Sequence, residues 1–442
     1  MKQETLIIIG GGDAGMTTAS WARRRKPSMN IIVFEKTNLI SHAPCGLPYY
    51  IEGLFDDENL LAAYKAEEFE KERNVNVKIN HEVTDIDFDN RIIYTVNDGK
   101  VYKYEYDYLV LATGSKPKKI NYDNESRIFY VHHPAFARDV RDKIMKLNKI
   151  AIIGGGILGI EMAEALAKNK KQVILIHKHS YLLNKILDED MAYYINNMVS
   201  KDLLVKLNEE TLEINEGGRI VITNKNRYEV DGTIVAIGVM PNTELVMKNN
   251  FIGETKAIRT DEYMRTYMKD VYAVGDVAES KNIITGKPDW QPFAPVAGKM
   301  GFTAGNHIGG VYYKFPGLVG TAITKYNDYF IAKTGLTESE AIKNGFKTMS
   351  TIVRSKTRAR YYPGGKDIII KLIADEVSQK IIGAQIIGGE EVLGRIDMIA
   401  LAIMKSNTLY DLFYLEHAYM PAISRSWDPV ILAARSLMTG FK

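Results

Sequence analysis

The 442-residue sequence predicts an α/β protein with two nucleotide-binding units, followed by a C-terminal α+β portion. Three observations predict it. Glycines at 10, 12 and 15 follow an apolar run with the spacing G-x-G-x-x-G. The same spacing recurs at Gly154, Gly156 and Gly159. From about Thr321 the pattern changes to strands and one long helix.

The first unit is TLIIIGGGDAGMTTASWARRRKPSMNIIVFEK, read as strand, glycine turn, helix, strand. Leu6 to Ile9 form a continuous apolar run, as a parallel strand covered on both faces requires. Gly10 lets the chain turn, Gly12 lets the backbone approach a pyrophosphate, and Gly15 lets helix and strand pack closely. The helix N-terminus, entered through Asp13 and Ala14, offers free N–H groups to phosphates. The next strand ends in Glu35, whose carboxylate can accept from an adenosine ribose. This is the pattern of a Rossmann-like domain. Lys36 and Val83 are further cofactor-binding candidates.

The second unit is KIAIIGGGILGIEMAEALAKNKKQVILIHK. Here Gly154, Gly156, Ile157, Gly159 and Glu161 are cofactor candidates, with Gly238 downstream. Its second strand ends in His177, followed by Lys178 and His179, so the ribose-binding carboxylate is missing. Two readings of this loop stand side by side: a site that tolerates or prefers the 2′-phosphate of NADPH, and a solvated basic turn.

Two dinucleotide folds in one chain predict two dinucleotides exchanging electrons, a flavin in the first and a nicotinamide in the second. Between the units, YDYLVLATGSKPKK is a buried strand ending in Thr113, Gly114 and Ser115, read as the crossing between domains. A later strand, DVYAVGDVAES, ends in Asp276. Its carboxylate can bind a flavin ribityl hydroxyl, cap a helix, or do both.

In the C-terminal portion, DIIIKLIADEVSQKIIGAQIIGG reads as a hairpin of two apolar strands around a polar turn. EVLGRIDMIALAIMKS has apolar residues at helical spacing and is expected to pack as an interface helix.

Composition narrows the function. The chain is 46% hydrophobic and 25% charged, with net charge +3, which carries no global nucleic-acid or membrane footprint. No segment approaches the ~20 apolar residues of a spanning helix. The start, MKQETLIIIGGG, has only four apolar residues in a row, so no secretory signal is expected and the cytoplasm is the expected location. A single cysteine excludes an intrachain disulfide and any multi-cysteine metal site, and no metal is expected.

That cysteine, Cys45, lies in SHAPCGLPYY, between prolines and beside a glycine. A helix is expected to begin near Gly46, so the thiol faces unpaired N–H groups that favour its anion. Without a second thiol on the chain, oxidised Cys45 has three forms open to it: a mixed disulfide with a small thiol, a sulfenic acid, or an interchain disulfide.

These segments together resemble the pyridine nucleotide–disulfide oxidoreductase family over nearly the whole chain. ATGS, AIGVMPNTEL and VYAVGDVAE fall in the family's order. The resemblance implies FAD and NAD(P)H as cofactors and one Rossmann-like domain inserted in the other. It implies FAD-binding segments at 1–118 and 246–325, an NAD(P)-binding domain at 119–245, and a dimerisation domain at 326–442.

The lone Cys45 is similar to the family's single-cysteine branch, which contains coenzyme A disulfide reductases, NADH oxidases, NADH peroxidases and persulfide reductases. SHAPCGLPYYIEG is most similar to the coenzyme A disulfide reductase loop. Members of the oxidase and peroxidase branch usually carry a histidine where Asp13 stands, which counts against a dedicated peroxidase. The resemblance implies reduction of coenzyme A disulfide, its persulfide or polysulfide, through a Cys45–S–S–CoA mixed disulfide. An NADH oxidase cycling through a sulfenic acid and a flavin-bound redox sensor are the alternatives.

The family binds the nucleotide end of coenzyme A beside the first helix, which makes Arg24, Ser41 and Lys71 substrate candidates, with Tyr362 and Trp427. In the coenzyme A branch, tyrosines of YYPG and A-Y-x-P segments reach the partner subunit's cysteine. Tyr361 and Tyr419 sit in matching segments and are the expected catalytic partners of Cys45 in a homodimer, with Tyr362 as the register alternative.

Overall fold

The computed structural model describes residues 3–440, arranged around three sheets. The first sheet is parallel and five-stranded. Its spatial order is Val271–Ala273, Tyr108–Leu111, β1 (Thr5–Ile9), β2 (Asn30–Phe34) and Asn76–Lys78. Leu6, Ile7 and Ile8 are fully buried in a core that also takes in residues of the helix at 13–25 and of a three-stranded antiparallel sheet, Glu82–Asp87, Ile92–Asn97 and Lys100–Glu105, whose Tyr104 ring packs 4.8 Å from Phe34. Helix α1 (Asp13–Arg25) crosses Ala294–Ile308 so closely that a Cβ at Gly301 would lie 2.4 Å from the Ala14 carbonyl oxygen. Glycines at 301 and 305 are what permit that crossing.

The second sheet is also parallel: Leu204–Lys206, Gln172–Ile176, Lys149–Ile153, Gly232–Val235 and Ile128–Phe129. All its strands lie within a stretch of chain flanked on both sides by strands of the first sheet, so the second unit is inserted into the first. The chain leaves through Ser115–Pro117 and returns through Val239–Pro241, and these two segments pair antiparallel. Thr113 Oγ1 donates to the Asn242 carbonyl at 2.7 Å, and Asn242 Nδ2 donates to the Thr113 carbonyl at 2.8 Å. The two crossings are therefore tied to each other by side chain as well as backbone.

The third sheet is antiparallel, with Asp367–Asp375 and Ile381–Gly388 paired at its centre as the expected hairpin. Val392–Met404 is the expected helix. It buries Val392, Ile396, Ile399 and Ile403 and leaves Leu393, Leu401 and Met404 exposed. No helix among the described residues is long and apolar enough to cross a membrane.

Candidate active site

The two glycine loops have the same internal mechanics. Gly10 has φ +112°, and a Cβ there would sit 2.1 Å from the Ala112 carbonyl oxygen; Gly154 has φ +110° and stands 2.4 Å from Ala236 O. Both require glycine. A Cβ at Gly15 would be 2.0 Å from Gly10 O, and at Gly159 1.9 Å from Gly154 O, so the third glycine closes helix onto strand. The second glycines differ. A Cβ at Gly156 would have nothing within 4 Å, and at Gly12 it would meet only His42 Nε2, at 3.9 Å. These open cradles lie at the N-termini of α1 and Ile157–Lys168, where backbone N–H groups are free for a pyrophosphate.

Sequence spacing treats Gly11 and Gly155 as free positions, and the structure shows they are not. A Cβ at Gly11 would lie 3.1 Å from Glu35 Cβ, and at Gly155 3.1 Å from His177 Cγ. The Gly11 N–H donates to Glu35 Oε2 at 2.9 Å, and the Gly155 N–H donates to His177 Nδ1 at 3.0 Å. Glu35 is buried and also accepts from the N–H and hydroxyl of Thr37, both at 2.8 Å. His177 fills the same post in the second unit as an uncharged ring. Burial, then the neighbouring His179, pushes it down to about 4. The cation in this loop is Lys178, which is exposed.

Asp13 opens α1, and burial raises its carboxyl above the usual range. Lys36 is exposed, and Val83 is buried in the first core, leaving its backbone as the polar part. Gly114 (φ +70°) and Gly238 (φ +96°) both face open space at the crossings. Asp276 Oδ2 accepts from Ser115 Oγ at 2.8 Å, and burial raises this carboxyl also. Asp276 does not cap a helix, as the sequence allowed. Its strand leads into a single turn, Gly275–Val277, and the next α-helix starts only at Ala294. Trp290 Nε1 donates to the Asp276 carbonyl at 2.8 Å, a contact that sequence gave no means to find.

Cys45 is exposed and lies within a 3-10 turn, Pro44–Gly46, ahead of the six-residue α2 (Leu47–Glu52). The helix expected at Gly46 is thus short, ended by Gly53 at φ +91°. The loop is tied to the first glycine unit: Ser41 N–H donates to Gly11 O at 2.8 Å, and Ala43 N–H to Leu61 O at 2.8 Å. His42 packs 4.3 Å from the His133 ring, and His132 Nε2 bonds Ser115 O at 2.8 Å. Burial, followed by the charges of His42, His132 and Lys36, pushes His133 down to about 3. The exposed sulfur is therefore carried on a segment pinned beside both the first glycine loop and the first crossing.

Tyr49, four residues after Cys45, was not among the sequence candidates. Burial, then Glu161 and Glu164, with Cys45 adding to them, pushes its phenol up to about 12. Glu161 itself turns to the third sheet, where Thr324 Oγ1 donates to it at 2.8 Å, and burial raises its carboxyl.

Of the basic residues ending α1, three are engaged. Arg23 donates to the carbonyls of Pro27 and Asn74, both at 2.6 Å. Arg25 donates to Asn306 Oδ1 at 2.8 Å, and Lys26 pairs with Glu4 at 3.0 Å. Arg24 is exposed and stacks 4.7 Å from the Trp21 ring centroid. Lys71 is exposed in the last turn of Ala66–Arg73, and Ser41 is half-buried at φ +46°.

In the third domain, Tyr361 and Tyr419 are brought together, their hydroxyls 3.2 Å apart on an exposed face. The hydrogen bond with Tyr361 raises Tyr419 above its ordinary value. Tyr362 is exposed beside them in sequence, while Trp427 stacks on Phe413 at 6.1 Å. His417 Nε2 is buried and has no hydrogen-bond partner among the described residues. Exposed Tyr414, Met420 and Ile423 extend the apolar face.

The profile of pyridine nucleotide-disulphide oxidoreductases matches residues 4–301, and that of the same group's dimerisation domain matches residues 321–430. The NAD(P)H coenzyme A polysulfide/persulfide reductase of Pyrococcus horikoshii is 40% identical over 444 residues, covering 99% of each chain. An NADH oxidase of Methanocaldococcus jannaschii is 36% identical, covering 98% of each chain. The solved NAD-dependent persulfide reductase of A. fulgidus superimposes with TM-score 0.94 at 34% identity, over 99% of this chain and 83% of that one.

Proposed function

Because the chain belongs to the pyridine nucleotide–disulphide oxidoreductase family, we propose that it reduces sulfur–sulfur bonds of coenzyme A-linked substrates through Cys45 alone. The coarser part of this is the family's own character: an NAD(P)H-dependent flavoprotein reductase with FAD, dimeric through its C-terminal domain. The observation that carries the finer reading is Cys45, the only thiol of the chain, exposed on a loop that Gly11 and Leu61 hold by backbone bonds. The relatives from P. horikoshii and A. fulgidus, named as persulfide reductases, support it.

The open backbone at Gly12 and the buried Glu35 would hold the pyrophosphate and ribose of FAD, and Thr113, Gly114 and Asp276 would bind the rest of that cofactor. Gly156 and His177 hold the corresponding places for NAD(P)H. Bound FAD supplies a two-electron relay from NAD(P)H to a sulfur–sulfur bond.

Cys45 as its anion attacks one sulfur of coenzyme A disulfide. The disulfide bond breaks, one coenzyme A leaves as thiolate, and a Cys45–S–S–CoA bond forms. Two electrons from NAD(P)H cleave that bond to Cys45 thiolate and a second coenzyme A thiolate, and protons complete two thiols. With a coenzyme A persulfide, attack at the inner sulfur expels hydrosulfide and forms the same mixed disulfide. Tyr361 and Tyr419 of the partner subunit act as phenol donors to the departing thiolate. Arg24, exposed and stacked on Trp21, and the exposed Lys71 meet the phosphates of coenzyme A, with Ser41 at the loop and Tyr362 and Trp427 at the dimer face.

Replacing Cys45 with serine tests this. Disulfide reduction should fall at least a thousandfold, while NADH-driven oxygen consumption persists. The Methanocaldococcus relative's name raises oxygen reduction through a Cys45 sulfenic acid as the competing reading. Disulfide reduction at the wild-type rate in Cys45→Ser would overturn the proposal.

A further inference from the structure

His42 stands on the loop that carries Cys45, and its ring reaches the first glycine loop. A Cβ built on Gly12 would meet, beyond its chain neighbours, only His42 Nε2, at 3.9 Å. The other ring nitrogen, Nδ1, is buried without a hydrogen-bond partner among the described residues. One nitrogen therefore lies at the open cradle where α1 begins, and the other lies against protein that offers it nothing.

The surroundings decide where the ring carries its proton. Burial is the largest influence on His42 and lowers it below the ordinary histidine range. The Glu35 carboxylate and the backbone at His42 favour the charged ring, and His132 opposes it. The neutral ring has one proton to place. On Nδ1 it would be a buried donor with no acceptor, at the full cost of desolvating that group. The proton therefore sits on Nε2, at the cradle. Glu35 is already engaged, through Oε2 by the Gly11 N–H at 2.9 Å and through Oε1 by Thr37 at 2.8 Å. The His133 ring, packed 4.3 Å away, accepts the Ala135 N–H at Nδ1, and at about 3 it adds no like charge.

The ring is also held in place. Ser41 N–H donates to Gly11 O and Ala43 N–H to Leu61 O, so the residues on either side of His42 are both fixed. His133 braces the ring itself.

We infer that His42 is a ligand of the FAD pyrophosphate: its Nε2–H donates to a phosphate oxygen in the cradle at Gly12, and the bound cofactor thereby holds the Cys45 loop. A neutral donor meeting an ionised acceptor makes a charge-assisted hydrogen bond. The N–H groups of α1 take the pyrophosphate from the first unit, and His42 takes it from the loop of the reactive sulfur. Loading of the cofactor and placement of Cys45 are then one event.

This rests on the reading that the first unit takes FAD, and its test reads cofactor retention and loop order rather than turnover. The FAD-loaded dimer is diluted, and release is followed by the recovery of flavin fluorescence. His42→Leu keeps much of the bulk and loses the donor, and it should release FAD about tenfold faster than wild type or more. His42→Gln places an amide N–H near the position of the imidazole Nε2 and should stay within about threefold of wild type. Hydrogen exchange at the Ser41 and Ala43 amides gives the second readout. Loading wild type with FAD should slow it about tenfold, and loading His42→Leu at saturating FAD should slow it far less. Release from His42→Leu at the wild-type rate overturns the inference, as does release from His42→Gln as fast as from His42→Leu. Wild-type amides whose exchange ignores FAD also overturn it. A wild-type dimer that holds no FAD would take the cofactor reading down with it. Failure to reduce disulfides would sink the proposed function and leave this result standing.

Discussion

The Lys371 ammonium lies 2.7 Å from the Asp190 carboxylate, joining the third sheet to the second unit. Lys371 is 2% exposed and also reaches Glu338 at 2.8 Å and Asp188 at 3.2 Å. Burial opposes its charge, and the bonds to Asp190 and Glu338 outweigh that and raise it above the ordinary lysine range. Asp188 meanwhile accepts from the N–H groups of Glu338 and Ser339 at 2.9 and 3.1 Å. The coenzyme unit is thus latched to the dimerisation domain.

Lys371→Met leaves three carboxylates without their cation. Breaking a buried pair in this way costs about 3–5 kcal/mol. Denaturant unfolding should show that loss, and a change under about 1 kcal/mol would mean the latch contributes little.

The glycines separate binding from folding. Gly156→Ala meets nothing within 4 Å, so the melting temperature should hold while coenzyme affinity falls at least tenfold. Gly159→Ala would place a Cβ 1.9 Å from Gly154 O and should destabilise by about 2 kcal/mol or more. Calorimetric titration and thermal melts check the pair, and equal melting temperatures would contradict the assignment.

Much of this was legible in the sequence where sterics leave one solution. Gly10 and Gly15 are forced by carbonyl oxygens about 2 Å from a would-be Cβ, and such spacing survives in any reading of the chain. The central hairpin, Asp367–Asp375 with Ile381–Gly388, was legible because both strands are apolar around a polar turn. What depends on distant partners was not. Thr113 and Asn242 are 129 residues apart, and Asp276 finds Ser115 rather than a helix to cap. The role of Gly155 is invisible until His177 is seen against it, and Tyr49 becomes notable only when α2 packs beside Glu161.

The tyrosine pair predicts sharing between subunits. Tyr361→Phe/Tyr419→Phe and Cys45→Ser should each be inactive in disulfide reduction as homodimers. Hybrid dimers of the two should regain up to half of wild-type activity per dimer, because one site then holds an intact cysteine and intact phenols. No recovery, with hybrids confirmed by mass, would place the phenols and cysteine of each site on one chain.

Acidification should report on the buried His177 ring. Its folded value of about 4 lies below the ordinary histidine value of about 6.5. The unfolded chain therefore takes up the proton first. Stability from the neutral ring is present above pH 6.5 and is lost as pH falls toward 4, at about 1.4 kcal/mol per unit. Between pH 7 and pH 5, His177→Gln should lose about 2 kcal/mol less than wild type in denaturant unfolding. Parallel losses would contradict a neutral buried ring.

The sulfur of Cys45 is the centre of the account, and its mass reports on it directly. The FAD-loaded dimer is incubated with coenzyme A disulfide, freed of excess, denatured in acid without reductant and weighed intact. The account predicts one coenzyme A, less two hydrogens, on each chain at Cys45, and its loss when NADH or NADPH is added before denaturation. An unmodified chain, or an adduct that survives both, would contradict it.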